Sequence, residues 1–154
     1  DENQLSTNQK NFTITTRIIK ESFPDFNSVI PENNLIEALI ETQALIGCLK
    51  RVSIFSNRTT KQTVISFSEK GAIVSAQDPE TATSGKEHIH CEYKGEALTA
   101  SYNAKYLIEV LQHTNSKNIK IYLSTPLSAA IVVPEKQQKE EELITLLMPL
   151  RLNN

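Results

Sequence analysis

The sequence predicts an α+β domain made of two strand–helix–strands units, and three observations carry that prediction. Two apolar stripes of helical period, near 41–55 and 103–114, each follow a short β-rich segment and lead into a run of strands. The segment Glu96-Ala97-Leu98-Thr99 echoes Glu37-Ala38-Leu39-Ile40, which sets a repeat of about 60 residues. A unit with one helix and a half-buried sheet cannot cover its own apolar face. The pair is therefore expected to share one core, two helices packed on a layer of antiparallel sheet.

In chain order, residues 12–19 (Phe-Thr-Ile-Thr-Thr-Arg-Ile-Ile) form a β-branched run suited to a strand. No neighbouring hairpin partner is read beside it, so residues 1–20 are expected to be the last strand of a mostly missing preceding domain. The amino terminus has no basic region or apolar block, and without an initiator methionine the chain is expected to be a piece of something longer. Residues 21–33 read as an ordered connector, bounded by Pro24 and Pro31 and packed by its aromatics.

Residues 34–154 are the expected domain, with repeats at about 34–94 and 95–152. The first strand covers 34–39, and its helix carries the stripe Ala44, Leu45, Cys48, Leu49 and Val52. Strands are predicted near 62–68, 71–77 and 86–93, with Glu69-Lys70-Gly71 as a tight turn. The second helix repeats the stripe with Tyr106, Leu107, Val110 and Leu111, and strands near 118–124, 128–133 and 142–148 follow. Residues 134–142, rich in Glu, Lys and Gln, read as a solvated loop.

Composition narrows the function. The 154 residues, 39% hydrophobic, suit one globular domain plus a short extension. The apolar stretches are too short to span a bilayer, so no membrane partner is expected. Cys48 and Cys91 each fall within an apolar pattern, which argues against a disulfide framework and for a reducing cytoplasm. A net charge of −2, from 16 basic and 18 acidic residues, argues against gripping nucleic acid by charge. It leaves room for a protein that surrounds DNA, because a closed ring holds its ligand topologically.

Catalytic constellations are sparse. Gly47, Gly71, Gly85 and Gly95 are isolated, so no phosphate-cradling loop forms, and no Gly-x-Ser-x-Gly elbow exists. In the run His88-Ile89-His90-Cys91, strand alternation puts the two histidines on one face and Cys91 on the other, a poor metal site. No metal, cofactor or catalytic residue is expected. The acidic residues read as solvated surface, and His113 as a cation complementing the end of its helix. Lys50 and Arg51 on the first helix and Lys105 on the second read as an ordinary wet face or as a mildly basic surface for a phosphate backbone. The tail, Leu143 to Leu152, is densely apolar almost to the end of the sequence, where solvated residues are usual. It should either complete a sheet or line a groove, and Pro149 ends strand pairing before Leu150 and Leu152.

Several separated stretches resemble the carboxy-terminal part of the bacterial sliding clamp, the beta subunit of DNA polymerase III. Phe23-Pro24-Asp25-Phe26 with Val29-Ile30-Pro31 is similar to that family's connector between its second and third domains. Ser56-Asn57 is similar to the end of its helix, and Tyr102-Asn103-Ala104-Lys105-Tyr106-Leu107 with Glu109-Val110-Leu111 resembles its next helix. Met148-Pro149-Leu150-Arg151-Leu152 resembles the family's ending and is the most specific match.

The resemblance implies a non-enzymatic processivity factor: a two-subunit ring around double-stranded DNA, tethering the replicative polymerase, clamp loader and other partners. It implies a peptide groove walled by Pro24, Val29, Asn103, Tyr106 and Leu127, and by the tail residues Leu146, Leu147, Met148, Pro149, Leu150, Arg151 and Leu152. Ser28 and Thr60 depart from the family, standing where a basic and an aromatic residue often occur. The resemblance also implies weak DNA-facing roles for Lys50, Arg51 and Lys105, and a subunit contact around Ser53 and Ile54. The piece alone is expected to be monomeric and to bind linear DNA poorly. Two rivals are a peptide-binding module that never encircles DNA and an enzyme whose split site uses His88 and His90.

Overall fold

Each half of the domain lends its opening strand to the other. The computed structural model describes residues 3–23, 25–31 and 33–152. In the domain proper, β3 (Ile36–Glu41) leads into α1 (Thr42–Val52) and a single 3-10 turn, Ser53–Phe55. Then come β4 (Gln62–Ser68), β5 (Gly71–Asp78), β6 (Thr83–Ile89) and β7 (Glu92–Lys94). The second half runs β8 (Leu98–Asn103), α2 (Ala104–His113), β9 (Asn118–Leu123), β10 (Ala130–Pro134) and β11 (Thr145–Leu147).

These strands form two antiparallel sheets, ordered β11-β10-β9-β3-β7 and β6-β5-β4-β8, where the sequence suggested one layer. The first half's opening strand β3 pairs with β9 of the second, Ala38 facing Ile121. The second half's opening strand β8 pairs with β4 of the first, Ile65 facing Ala100. Neither half completes a sheet without the other, which is the physical basis of the shared core.

Helix α1 buries Leu45, Ile46, Cys48, Leu49 and Val52 in that core, and α2 contributes Leu107 and Leu111. Ala44, expected in the stripe, is exposed: it lies just outside the apolar arc, and Ile46 takes the opposite flank. Phe67 and Tyr93 stack at 5.7 Å between ring centroids. Asn103 caps α2 by accepting from the backbone N–H groups of Lys105 and Tyr106 at 3.0 and 3.3 Å, and α1 has no side-chain cap. The predicted turn forms between Ser68 and Gly71, whose φ of +110° and whose proximity to the Ile89 carbonyl leave no room for a side chain.

Three expectations are corrected. The strand at 12–19 does have a hairpin partner: β1 (Gln4–Gln9) pairs with β2 (Phe12–Arg17), Gln9 opposite Phe12. The polar composition of Gln4–Gln9 hid that strand, and every residue of the hairpin is exposed. The single strand expected at 86–93 is split at His90-Cys91, where the chain leaves the four-stranded sheet for the edge of the five-stranded one. The last strand is three residues long, not 142–148, because Gln137 holds the 137–143 loop through hydrogen bonds of 3.0 Å to both the N–H and the carbonyl of Leu143.

Candidate functional site

The apolar tail both completes a sheet and walls a cleft. Thr145–Leu147 pairs with β10, Leu147 opposite Ala130. Past Pro149 the chain crosses to the other sheet, where the Leu150 N–H donates to the Ser101 carbonyl at 2.7 Å. The buried Ser101 hydroxyl donates back to the Leu150 carbonyl at 2.8 Å and accepts from Gln62 Nε2 at 3.0 Å. Gln62 Nε2 also donates to the Arg151 carbonyl at 3.0 Å. The tail is thus held at both ends, in one sheet by strand pairing and in the other by this small network.

Between the tail and α2 lies a mainly apolar cleft of about 610 Å³. Asn103, Tyr106 and Val110 line it from the helix side, and Leu146, Leu147, Met148, Pro149 and Leu150 from the tail. Tyr106, 58% exposed, stands at its mouth. Asn103 has both ends of its amide engaged, its Nδ2 donating to the Thr60 carbonyl at 3.0 Å while its oxygen caps α2. A second cleft of about 390 Å³ opens between the connector (Phe26, Val29, Ile30) and the tail (Glu142, Ile144, Leu146). Leu146 lines both, so the two abut across one side chain. In the connector, Asp25 caps a single 3-10 turn, Phe26–Val29, by accepting from Asn27 N–H at 3.1 Å. Phe23 and Phe26 pack edge to face at 6.4 Å, both largely exposed.

Of the residues proposed for a groove, Val29, Asn103, Tyr106 and Leu146 to Leu150 line these clefts. Pro24 lies outside the described residues. Leu127 does not reach either cleft: it sits on the turn after β9, where Thr125 Oγ1 accepts from Ser128 N–H at 3.1 Å and leaves Leu127 66% exposed. Arg151 and Leu152 also lie outside, because the chain turns onto β4 once Leu150 is bonded to Ser101. Sequence reading missed Glu109, His113 and Thr114 as lining residues, while Leu143 and Thr145 belong to the tail already read as a sheet strand or a groove wall. Helical spacing held the signal, since Tyr106, Glu109, Val110 and His113 fall on one face. The His113 ring Nδ1 lies 2.8 Å from the Glu109 carbonyl, which places the imidazole at the open end of α2.

The basic residues differ in availability. Lys50 and Lys105 are exposed, whereas Arg51 makes a bidentate pair with Glu87 of β6, with Nε to Oε2 at 3.0 Å. Hydrogen bonding in that pair raises the Arg51 pKa and lowers that of Glu87. Arg51 is therefore already engaged by a neighbour. Ser53 is half-buried and Ile54 is 77% exposed, beside Phe55, whose ring covers Gly85 on the edge strand β6. His88 and His90 are exposed and Cys91 is buried, following strand alternation, and no group of three metal-capable side chains occurs among the described residues. Burial pushes the Cys91 thiol up to about 11. The Cys48 thiol is raised to about 11 as well, by burial first and then by the Glu87 carboxylate. No helix among the described residues is long and apolar enough to cross a membrane.

The sequence pattern of the family described as "DNA polymerase III beta subunit, C-terminal domain" matches residues 27–151, most of the chain. The chain belongs to this family. The resemblance read from the connector, the second helix and the Met148–Leu152 ending is borne out by that match, and so is the α+β clamp-domain fold. A curated relative, the beta sliding clamp of Chlamydia muridarum, is 23% identical over 154 residues, covering all of this chain and 40% of the relative. The DNA polymerase sliding clamp of Pseudomonas aeruginosa, solved with a ligand, superposes with a TM-score of 0.87 at 24% identity over 99% of this chain and 40% of that one. A sliding clamp of the same organism, solved bound to griselimycin, superposes at 0.84 with 24% identity over 98% of this chain and 40% of that one. The family's C-terminal domain chain described here thus spans about two fifths of the length of the curated relatives it matches.

Proposed function

We propose that this chain is the C-terminal portion of a sliding clamp, a DNA polymerase processivity factor that works by enclosure and not by bond chemistry. In the whole protein it would form part of a ring of two subunits around double-stranded DNA, in the cytoplasm. The polymerase, clamp loader and other partners would dock through short segments laid into the cleft between α2 and the tail. The observation that carries this reading is the cleft itself: an open, mainly apolar channel in a chain of this family, with its tail wall fixed in two sheets. An apolar channel of this kind with a few polar groups suits an extended peptide with alternating apolar anchors. The griselimycin-bound clamp of Pseudomonas aeruginosa, which shares this fold, supports a ligand-binding role for such a domain.

The same reading assigns the remaining surfaces. Lys50 and Lys105 would face the duplex as weak, sequence-independent phosphate contacts, while Arg51 serves chiefly to hold β6 through Glu87. The exposed Ile54, beside the open edge of β6, would meet the other subunit. With only part of the ring in the chain and a net charge of −2, the piece by itself should be monomeric and should bind linear DNA poorly.

The test is a fluorescence anisotropy titration of a labelled Gln-Leu-Ser-Leu-Phe peptide against the chain, a version ending before Met148, and Tyr106→Ala. Saturable binding that is lost on truncation and weakened about tenfold or more by Tyr106→Ala is expected, since the bound peptide would cover this exposed aromatic. Binding unchanged in both variants would place the peptide elsewhere and overturn the assignment of this cleft.

A further inference from the structure

We propose that Glu109 and Glu142 make the docking channel selective for partner segments that carry a basic side chain beside their apolar anchors. The proposal rests on the reading of the cleft as a segment-docking site and adds its charge preference. The two carboxylates do not form a cluster. Glu109 lies on the α2 wall of the larger cleft, and Glu142 lies at the rim of the smaller one, on either side of Leu146.

Both are exposed, and neither has an ion-pair partner among the described residues, in contrast to Glu37 and Glu87, which are bonded to Lys120 and Arg51. The larger cleft's wall is mainly apolar, with Val110 and Leu147 among Asn103, His113, Thr114 and Thr145, and the smaller one's is apolar apart from Glu142, with Val29 and Ile144. On its other side Glu109 shares a shallow hollow with Lys61, Lys105 and His113, none of them within ion-pair distance of it, and Glu141 lines the small pocket beneath the 137–143 loop with Lys136.

A peptide laid along the channel removes water from any carboxylate that it covers. An unpaired carboxylate loses hydration with nothing in return, whereas a Lys or Arg on the peptide replaces the lost water with a charge-assisted hydrogen bond. The channel therefore penalises acidic and neutral flanks and favours basic ones, and the preference should weaken as salt screens the pair.

The experiment uses three labelled peptides with one apolar core, Gln-Leu-Ser-Leu-Phe, flanked at both ends by Arg, by Gln or by Glu. They are titrated against the chain, Glu109→Gln, Glu142→Gln and the double variant, at low and high salt. The Arg-flanked peptide is expected to bind about fivefold tighter than the Gln-flanked one at low salt, with the Glu-flanked one weakest. That ratio should approach one in the double variant. An Arg-to-Gln ratio that survives in the double variant would overturn the proposal and leave the docking reading standing. Failure of all three peptides to bind the unaltered chain would overturn both.

Discussion

Replacing Ser101 by Ala should loosen the tail from the second sheet while leaving the core packing intact. The Ser101 hydroxyl is fully buried, donates to the Leu150 carbonyl at 2.8 Å and accepts from Gln62 Nε2 at 3.0 Å. Its removal leaves a half-buried carbonyl without that donor, while Gln62 keeps its bond to the Arg151 carbonyl. Two side-chain hydrogen bonds are lost, and leaving the Leu150 carbonyl without its donor costs about 1–2 kcal/mol. With a urea slope of roughly 1–3 kcal/mol per molar, the unfolding midpoint should fall by about 0.3–2 M at unchanged slope. The local effect distinguishes this mechanism from general weakening. The Leu150 N–H bond to the Ser101 carbonyl, at 2.7 Å, then holds the crossing together with the Gln62 bond to Arg151, and the Leu150 amide should exchange about tenfold faster. Hydrogen exchange read by NMR alongside the urea titration tests both. A midpoint within about 0.2 M of the parent with Leu150 protection unchanged would mean that the hydroxyl does not hold the tail.

Three further outcomes follow from other parts of the fold. Leu107→Ala, which empties a fully buried position on α2, should cost about 2–5 kcal/mol in a urea titration, whereas Leu127→Ala at an exposed turn should cost under about 0.5 kcal/mol. Gly71→Ala should destabilise by roughly 1–3 kcal/mol, since a Cβ there meets the Ile89 carbonyl at 2.9 Å with φ at +110°, and thermal unfolding reads the loss. The raised Cys48 and Cys91 thiols keep their protons in the folded chain while the unfolded chain releases them near pH 9. Their contribution is therefore complete below about pH 9 and is lost as pH rises towards 11, and a Cys48→Ala, Cys91→Ala variant in reductant should show a shallower alkaline decline than the parent.

The alternation of β4 and β5, the two helical stripes and the Gly71 turn could be read from the sequence because each depends on contacts between near neighbours along the chain. The apolar ending at Met148–Leu150 was legible as residue types out of place in a solvated segment, while Asn103 was reached only through the family resemblance. The polar β1 carried no apolar period and became a strand only through pairing with β2. Arg51 looked like a free cation until the fold brought Glu87, 36 residues away, against it.

Local patterning by itself placed the two helices, most strands of the domain and their apolar faces. Tertiary structure alone decided that β3 and β8 exchange between the halves, since strand pairing depends on backbone groups that all residues share. It also decided the cleft. Leu146 to Leu150 become a wall only because Ser101, 49 residues from Leu150, binds the tail across from the second sheet. That crossing carries the chain away at Arg151, so Arg151 and Leu152, which the resemblance implied for a groove, do not line this cleft.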